Sequence, residues 1–360
     1  MAFLEFKNVR IAGFSAGVPK QVLSNLTPNE TDGFSKEYTP EEFVKTTGVQ
    51  ERHVSDTLCT SDLCFHAAER LIADLKWDKS EIQALIFVSQ TADYILPCTS
   101  CILQDRLALS KECYAADCTL GCSGWVYGLS QVLSLLSNGT IKKALLLCGD
   151  AKKRADGPRD PLFGHAGTAT AVEFQEGAEG FKFHFGTDGS GYDAIITPDG
   201  GSRNQTSVKS FVMEEIEGKP MHRMQTRMKG MDVFAFGISV PPKSIKKLAE
   251  HYCFDYSTCD YLILHQANMK MNNMIAKKLK FTAEKVPSCM LHYGNTSSAS
   301  IPLTIVTELR DKCNKPTKFI CCGFGVGLSW GTVYFETDNI VISDLVEVEE
   351  LTESEQNKWV

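Results

Sequence analysis

The chain has 360 residues, of which 43% are hydrophobic and 22% are charged, and its formal net charge is -7. This composition is that of a soluble globular protein, and the lack of a basic surplus argues against nucleic acid as a partner. No apolar run approaches the ~18 residues of a membrane span, and the opening run MAFLEFKNVR lacks the features of a signal peptide, so we expect a cytoplasmic protein without membrane contact.

The hydrophobic pattern alternates between helices and strands along the chain. Helices are predicted at 61–76, 122–137, 243–252 and 268–280, and buried strands at 83–89 and in the runs KALLLCGD, DYLILH, KFICCGF and WGTVYFE. Strands that alternate with helices favour an α/β fold of mainly parallel sheets with helical cover. The segment 175–228 is rich in glycine and polar residues, which predicts loops and short strands that cover a site.

The two halves of the chain repeat one pattern. In the first half, a strand, Cys122, a helix and a strand ending in glycine follow one another. In the second half, a strand, Asn295, a helix and a strand ending in glycine follow at closely similar offsets. An internal duplication explains this match and would bring Cys122 and Asn295 to one site across a pseudo-twofold axis.

The repeat divides the chain into four parts. The first half spans 1–174, connecting loops span 175–228, and the second half spans 229–340. The last part, 341–360, is an acidic tail that is expected to be solvated.

The fourteen cysteines lie mostly inside apolar, strand-like runs. Such positions indicate reduced, packed thiols rather than a disulfide framework. Cys98 and Cys101 have the spacing of a zinc-ligand pair, but no second pair stands at zinc-finger distance, so no metal site is predicted.

Three residues at predicted strand ends suggest chemistry. Cys122 opens an apolar helix, whose N-terminal N–H groups favour the nucleophilic thiolate. His265 and Asn295 each carry N–H donors, and two donors that converge on one oxygen form an oxyanion site. The glycine-rich turn at 323–331 would let backbone N–H groups approach a ligand. Taken singly, each residue is a weak signal: a cysteine at a helix start is more often a packing residue, the histidine is compatible with a core position, and the asparagine is most often a turn or cap.

Papain-type cysteine proteases also use Cys, His and Asn in this order. Their cysteine lies near the mature N-terminus, whereas about 120 residues of α/β pattern precede Cys122. The order of the three residues therefore does not by itself indicate a protease.

Four runs resemble the β-ketoacyl-acyl carrier protein synthase III family, which has the thiolase fold: AADCTLGCSGWVYGLSQV, LILHQANMKMNNMIAKKL, HYGNTSSASIPL and GFGVGLSWG. The resemblance extends from about residue 8 to residue 337. Thiolases would need a second cysteine, and elongating ketosynthases a second histidine in place of Asn295. Plant-type polyketide synthases usually carry GFGPG without the following tryptophan.

The resemblance implies a five-layered αβαβα fold, a homodimer and a reaction in two stages. An acyl primer would pass from a CoA or carrier-protein thioester to Cys122, and malonyl-acyl carrier protein would then lose CO₂ and attack it, giving a 3-oxoacyl-acyl carrier protein. By motif match, His265 and Asn295 would hold the enolate, the backbone N–H groups of Cys122 and Val326 would hold the primer's carbonyl oxygen, and Phe324 would favour decarboxylation. No cofactor is implied beyond the thioester substrates.

Other positions match the family's partner and pocket residues. Lys270, Lys277 and Lys278 match basic positions that meet acyl carrier protein, although an ordinary solvated helix face explains them equally well. Leu96 stands in place of an aromatic residue at the end of the acyl pocket that the dimer partner supplies.

The chain also departs from the family's pattern. The run EFVKTTG at 42–48 lacks the Trp and Arg that clamp CoA, and His165 stands where the family has an acidic residue. These departures favour carrier-protein donors and a specialised lipid, secondary-metabolite or polysaccharide pathway. Two alternatives remain: transfer of the acyl group to an amine or alcohol without carbon–carbon bond formation, and a non-catalytic partner subunit, which would be expected to have lost one of the three residues.

Overall fold

The computed structural model describes residues 1–28, 39–151, 159–216 and 219–356. Its strands are β1 Ala2–Phe6, β2 Val9–Pro19, β3 Val22–Ser24, β4 Glu51–His53, β5 Ala84–Val88, β6 Tyr114–Cys118, β7 Lys143–Asp150, β8 Ala166–Phe174, β9 Phe181–Thr187, β10 Ile195–Ile196, β11 Glu214–Ile216, β12 Lys219–Met221, β13 Arg227–Met228, β14 Tyr261–Leu264, β15 Thr317–Gly325, β16 Ser329–Thr337, β17 Val341–Ile342 and β18 Val346–Val348. Its helices are α1 Pro40–Thr47, α2 Thr60–Leu75, α3 Thr99–Arg106, α4 Gly124–Leu136, α5 Gly230–His251, α6 Met269–Leu279, α7 Met290–Tyr293, α8 Ser300–Leu309 and α9 Glu353–Gln356.

Two large sheets form the framework of the described chain. The first has the order β17-β2-β8-β7-β5-β6, with β18 also paired to β2, and the second has the order β1-β9-β16-β15-β14. In the first sheet β5 pairs in parallel with β7, and β7 pairs antiparallel with β8. In the second sheet β14 pairs in parallel with β15, and β15 pairs antiparallel with β16. The same order and direction in both sheets agree with the internal duplication that the sequence indicated.

The expectation of mainly parallel sheets is wrong for the second sheet. There β1, β9, β16 and β15 pair antiparallel, and β14 with β15 is the parallel pair. A short turn after β15 sends β16 straight back along it, which fixes the opposite direction. Strands buried on both faces are apolar throughout whatever their direction, so the hydrophobic pattern could not distinguish the two cases.

Helices separate and cover the two sheets. α4 and α8 lie between them: α4 contacts β5 and β7 on one side and β15 and β16 on the other, and α8 contacts β2, β8 and β14. Both helices are apolar nearly all round, the composition expected for a helix buried on every side. α2 covers the outer face of the first sheet and α5 that of the second. The predicted five-layered αβαβα arrangement is confirmed.

The segment 175–228 contains more than connecting loops. β9 lies within it and pairs with β1 and β16 as an inner strand of the second sheet. β1 belongs to that sheet as well, so the start of the chain completes the sheet of the second half. α5 begins at Gly230, earlier than the helix predicted at 243–252. The prediction began too late because prolines usually interrupt a helix, whereas Pro241 and Pro242 lie inside this one.

The expectation of a solvated acidic tail is wrong for residues 341–351. β17 and β18 pair in parallel with β2 along the edge of the first sheet. Val348 is 6% exposed, whereas Glu347 between the two valines of β18 is exposed. The alternation of valine and glutamate is therefore that of a strand with one buried face.

All fourteen cysteines lie in the described residues, and none forms a disulfide. Within the described ranges, no set of three histidine, cysteine or acidic side chains is placed to hold a metal ion. No described helix combines the length and apolar character that crossing a membrane requires.

Candidate active site

Cys122 lies in the turn between β6 and α4, two residues before the helix begins. The hydroxyl groups of Ser123 and Ser329 are 2.7 Å apart and tie this turn to the start of β16. The N–H groups and the dipole at the start of α4 favour a negative charge on the thiol, and no acidic residue in the first turn of the helix opposes this effect. The fold therefore presents the thiol at the positive end of a buried helix.

The glycine-rich turn after β15 lies directly against this thiol. A methyl group added to Gly325 would stand 2.6 Å from the Cβ of Cys122 and 3.0 Å from its Sγ. Contacts that close are possible for glycine alone. The sequence predicted that this glycine-rich segment approaches a ligand site, and in the structure it lies against Cys122.

His265 follows β14 and is 1% exposed. Its Nδ1 lies 2.8 Å from the Ser300 hydroxyl, and its backbone oxygen accepts a hydrogen bond of 3.1 Å from the Asn272 side chain. Burial lowers the pKa of His265 from 6.5 to about 3, against a smaller opposing effect of the Ser297 backbone. The imidazole is therefore neutral at physiological pH and can donate from one ring nitrogen.

Asn295 is held by backbone contacts on both sides. Its N–H donates to the Leu162 oxygen at 2.9 Å, and its own oxygen accepts from the Gly164 N–H at 3.2 Å. The side-chain Oδ1 accepts from the Ser297 N–H at 2.9 Å. This last bond sets the amide orientation and makes Nδ2 the group that can donate to a ligand.

These three residues line one cavity of about 960 Å³. Phe324 and Val326, from the end of β15 and its turn, line it too. The Phe324 ring meets the His265 ring edge-on, with centroids 5.6 Å apart and planes at 85°. The cavity thus contains a thiol, a neutral imidazole and an amide, with an aromatic ring packed against the imidazole.

The remaining predicted residues lie in three different places. Lys270, Lys277 and Lys278 are exposed on α6, and Asn268 and Met271 near the start of that helix line the cavity. Leu96 is 82% exposed in the loop after β5 and does not line the cavity within this chain. His165, 5% exposed, does line it.

The structure adds residues that the sequence reasoning did not name as site residues. Ser300 contacts the His265 ring, and Thr60, Gln90 and Thr91 line the cavity. Ser300 closes the GNTSSAS run, so its place in that motif was a usable signal. The two threonines lie at the start of α2 and just beyond β5, and nothing in their local sequence links them to the site.

Cys118 and Cys148, near the ends of β6 and β7, are poor candidates for the nucleophile. Burial raises the pKa of Cys118, and it raises that of Cys148 well above the ordinary thiol value. Neither lines the cavity. Their thiols stay protonated at neutral pH and so are weak nucleophiles.

Comparison with known proteins points to one family. The family model described as 3-oxoacyl-[acyl-carrier-protein] synthase III matches residues 116–189, and the model of its C-terminal part matches residues 253–337. A β-ketoacyl-[acyl-carrier-protein] synthase III of Desulfitobacterium hafniense is 30% identical over 331 residues, which cover 90% of this chain and 96% of that protein. The chain belongs to the 3-oxoacyl-[acyl-carrier-protein] synthase III family.

Further members show the same relation. A β-ketoacyl-[acyl-carrier-protein] synthase III of Clostridioides difficile is 33% identical over 301 residues, or 81% of this chain and 89% of that protein. The crystal structure of a 3-oxoacyl-(acyl-carrier protein) synthase from Burkholderia xenovorans superposes with a TM-score of 0.88 at 36% identity and covers 96% of this chain and 99% of that one. This synthase III family member is therefore a condensing enzyme of the acyltransferase class.

Proposed function

We propose that this synthase accepts an acyl primer on Cys122 and condenses it with malonyl-acyl carrier protein to give a 3-oxoacyl-acyl carrier protein. The observation that carries the proposal is the shared cavity, in which a helix-terminal thiol faces a neutral imidazole and an amide donor. The thioester substrates supply all the reactive groups, so no separate cofactor takes part.

In the first stage, the Cys122 thiolate attacks the carbonyl carbon of the primer thioester. The new carbon–sulfur bond forms as the bond to the donor thiol breaks, and the donor leaves with a proton. The backbone N–H groups of Cys122 and Val326 would hold the carbonyl oxygen while it carries negative charge. Val326 is suited to this role because its turn lies against the thiol, as the Gly325 contact shows.

In the second stage, the bond between the malonyl carboxylate and the α-carbon breaks and CO₂ leaves. The electron pair becomes an enolate, whose oxygen accepts hydrogen bonds from His265 and from Asn295 Nδ2. We assign the Ser300 hydroxyl, 2.8 Å from Nδ1, as the donor of that hydrogen bond, so that the neutral ring keeps its proton on Nε2 and donates it to the enolate. The enolate carbon then attacks the Cys122 thioester, and the cysteine sulfur leaves as thiolate.

Neutral donors suit this chemistry for an electrostatic reason. A charged imidazolium would stabilise the malonyl carboxylate as well as the enolate, and binding both equally would not lower the barrier. The buried, uncharged His265 and the Phe324 ring beside it instead give the carboxylate an apolar surrounding. Transfer of the negative charge from the carboxylate to the hydrogen-bonded enolate oxygen, as CO₂ departs, is favoured in such surroundings.

The partners follow from the surface of the same region. α1 carries the EFVKTTG run, and its C-terminal Gly48 packs against Met269 at the start of α6. Lys270, in the first turn of α6, is thus close to the run that lacks the CoA-binding Trp and Arg, and Lys277 and Lys278 lie in the last turn of the same helix. This arrangement favours an acyl carrier protein as donor. The missing CoA clamp is the reason to propose a role in a specialised lipid, secondary-metabolite or polysaccharide pathway, and the family resemblance is the reason to propose a homodimer as the working unit.

The test uses the intact mass of the purified protein after incubation with acyl-carrier-protein and acyl-CoA donors. We expect one acyl adduct, which Cys122→Ser abolishes and the matched control Cys118→Ser retains. Addition of malonyl-acyl carrier protein should then release CO₂ and discharge the adduct as a 3-oxoacyl product. Adducts that persist on Cys122→Ser would overturn the nucleophile. Discharge to an amine or alcohol without release of CO₂ would favour plain acyl transfer.

A further inference from the structure

The last strand of the chain and the residues after it pack against the loop that precedes α2. Residues 346–351, which we call the clamp segment, consist of β18 and the three residues that follow it. Val348 of this segment is 6% exposed and joins Leu58 in a small apolar cluster, against which Leu351 packs. The resemblance to the family ends at about residue 337, so its motifs assign no role to the clamp segment.

Glu350 ties the clamp segment to that loop. Its Oε2 accepts hydrogen bonds from the Ser55 hydroxyl at 2.9 Å and from the Thr57 N–H at 3.1 Å, and the Thr57 hydroxyl donates to it as well. The Leu351 N–H in turn donates to the Thr57 hydroxyl at 2.9 Å. Hydrogen bonds to a charged acceptor are stronger than those between neutral groups. One carboxylate therefore holds three donors of the loop in place.

Ser55 connects this loop to the residues that precede β8. Ser55 is 1% exposed, and its hydroxyl accepts from the Leu58 N–H at 2.7 Å while it donates to Glu350. Its N–H donates to His165 Nδ1 at 3.1 Å, and the His165 N–H donates to the His53 oxygen at 2.8 Å. His165 is thus held by the loop at both its ring and its backbone.

The residues before β8 hold Asn295 on their other side. The Leu162 oxygen accepts from the Asn295 N–H and the Gly164 N–H donates to the Asn295 oxygen, so Phe163 and Asn295 form a parallel bridge. Gly164 packs closely there, since a methyl group on it would lie 2.1 Å from the Tyr293 oxygen. The backbone of Asn295 is therefore the last member of a hydrogen-bonded series of segments that begins at Glu350.

We propose that Glu350 is a positioning residue that acts on Asn295 through the loop before α2 and residues 162–165. Glu350 is exposed and does not line the cavity, so it acts only through these contacts. The enolate oxygen requires the Asn295 amide at hydrogen-bond distance, and a small displacement of such a donor lowers the rate. This inference rests on the proposed function, since it concerns the residue that holds the enolate.

The test measures the two stages of the reaction separately in Glu350→Ala. We expect condensation by enzyme already acylated on Cys122 to slow about 10-fold, because the Asn295 donor is displaced. Acylation of Cys122 should change less than ~2-fold, because this stage does not use the Asn295 donor. Glu350→Gln, whose amide oxygen can still accept hydrogen bonds, should retain most of the condensation rate.

Glu349→Ala is the matched control for this substitution. It removes the neighbouring carboxylate, which pairs with Lys20 instead of with the loop before α2, and it should leave both rates unchanged. A loss of condensation in Glu349→Ala as large as that in Glu350→Ala would contradict the proposal.

A double substitution distinguishes positioning from general loosening of the structure. If Glu350 acts through Asn295, then Glu350→Ala should cause no further loss of condensation rate in a protein that already carries Asn295→Ala. Losses that multiply in the double variant would show that Glu350 acts by another route and would overturn the proposal.

The remaining outcomes separate this inference from the proposed function. Normal condensation by Glu350→Ala, or equal slowing of acylation and condensation, would overturn the positioning role while leaving the assignment of Cys122 and Asn295 intact. Normal condensation by Asn295→Ala would overturn the proposed function instead. If Glu350→Ala does not fold, Thr57→Val, which removes one of the three donors, carries the same expectation in the same comparison.

Discussion

Gly325 shows how closely single residues constrain the nucleophile. The backbone at the end of β15 touches the Cys122 side chain, so a methyl group on Gly325 would displace the thiol or the following turn, which supplies the Val326 N–H. Gly325→Ala should therefore slow acylation of Cys122 by ~100-fold, because small misplacements of reacting groups cost that much in rate. Intact mass over time measures the rate.

Gly201→Ala provides the matched control for that substitution. A methyl group at Gly201 meets nothing within 4 Å, so this variant should acylate at the normal rate. Normal acylation by Gly325→Ala as well would show that the turn yields easily and does not position the thiol.

The ionisation of His265 predicts a pH dependence. Because its pKa lies at about 3 instead of 6.5, the ring stays a neutral donor as pH falls from 8 to 5. When the enzyme is already acylated on Cys122, the plot of condensation rate against pH should therefore show no inflection near pH 6.5 that is due to His265. The measurement is the rate of product formation in a single turnover across that pH range. A fall in this rate below about pH 6.5 that persists in Asn295→Ala and disappears in His265→Gln would contradict the prediction.

The same lowered pKa has a consequence for stability. Below about pH 6.5 an unfolded chain binds a proton at this histidine that the native protein does not bind. This group's contribution to the free energy of unfolding is therefore complete above that pH and declines as pH falls towards 3. His184, whose burial lowers its pKa to about 4, acts in the same direction.

At the scale of elements, α6 presents an exposed basic face beside the cavity. We expect Lys277→Glu to slow acylation from an acyl-carrier-protein donor about threefold or more at low salt, because that partner is acidic. The effect should shrink in high salt, since exposed charges are screened over ~8–10 Å near physiological ionic strength. Acylation from a pantetheine thioester, which lacks the protein partner, should stay unchanged.

Lys111→Glu is the charge-matched control for this element, since Lys111 is exposed and does not line the cavity. An equal loss in both variants would indicate a general effect of net charge. Insensitivity of Lys277→Glu to donor and salt would show that the α6 lysines are only solvated surface.

At the scale of the whole molecule, the loop after β5 exposes two large apolar side chains. Ile95 is 97% and Leu96 is 82% exposed in the single chain. Such exposure is costly in water, and a homodimer that buries this loop would relieve it. Ile95→Asp should therefore convert the proposed dimer to monomer in sedimentation experiments and slow Cys122 acylation.

The equally exposed Val208, at 90%, offers a control, because Val208→Asp should leave the dimer intact. A monomeric unaltered enzyme would contradict the proposal. So would a dimeric Ile95→Asp variant with a normal rate of acylation.

The sequence alone determined which runs are buried and the chemical type of the site residues, and its resemblance to the family implied the five layers. Apolar runs such as α4 and α8 must be buried on every side, whatever surrounds them. The repeated order of strand, Cys122 or Asn295, helix and strand likewise follows from local pattern. These features are local, and local features can be read from neighbouring residues.

Tertiary structure decided what depends on distant pairing. The direction of the strands in the second sheet, the docking of residues 341–351 on β2 and the low pKa of His265 all arise from contacts between segments far apart in the chain. The hydrogen bond between Thr60 and Thr91 is of the same kind, since the two residues meet only because the start of α2 and the end of β5 lie at one edge of the first sheet. A sequence lists such residues in order, but burial and hydrogen bonding between them exist only once the sheets have formed.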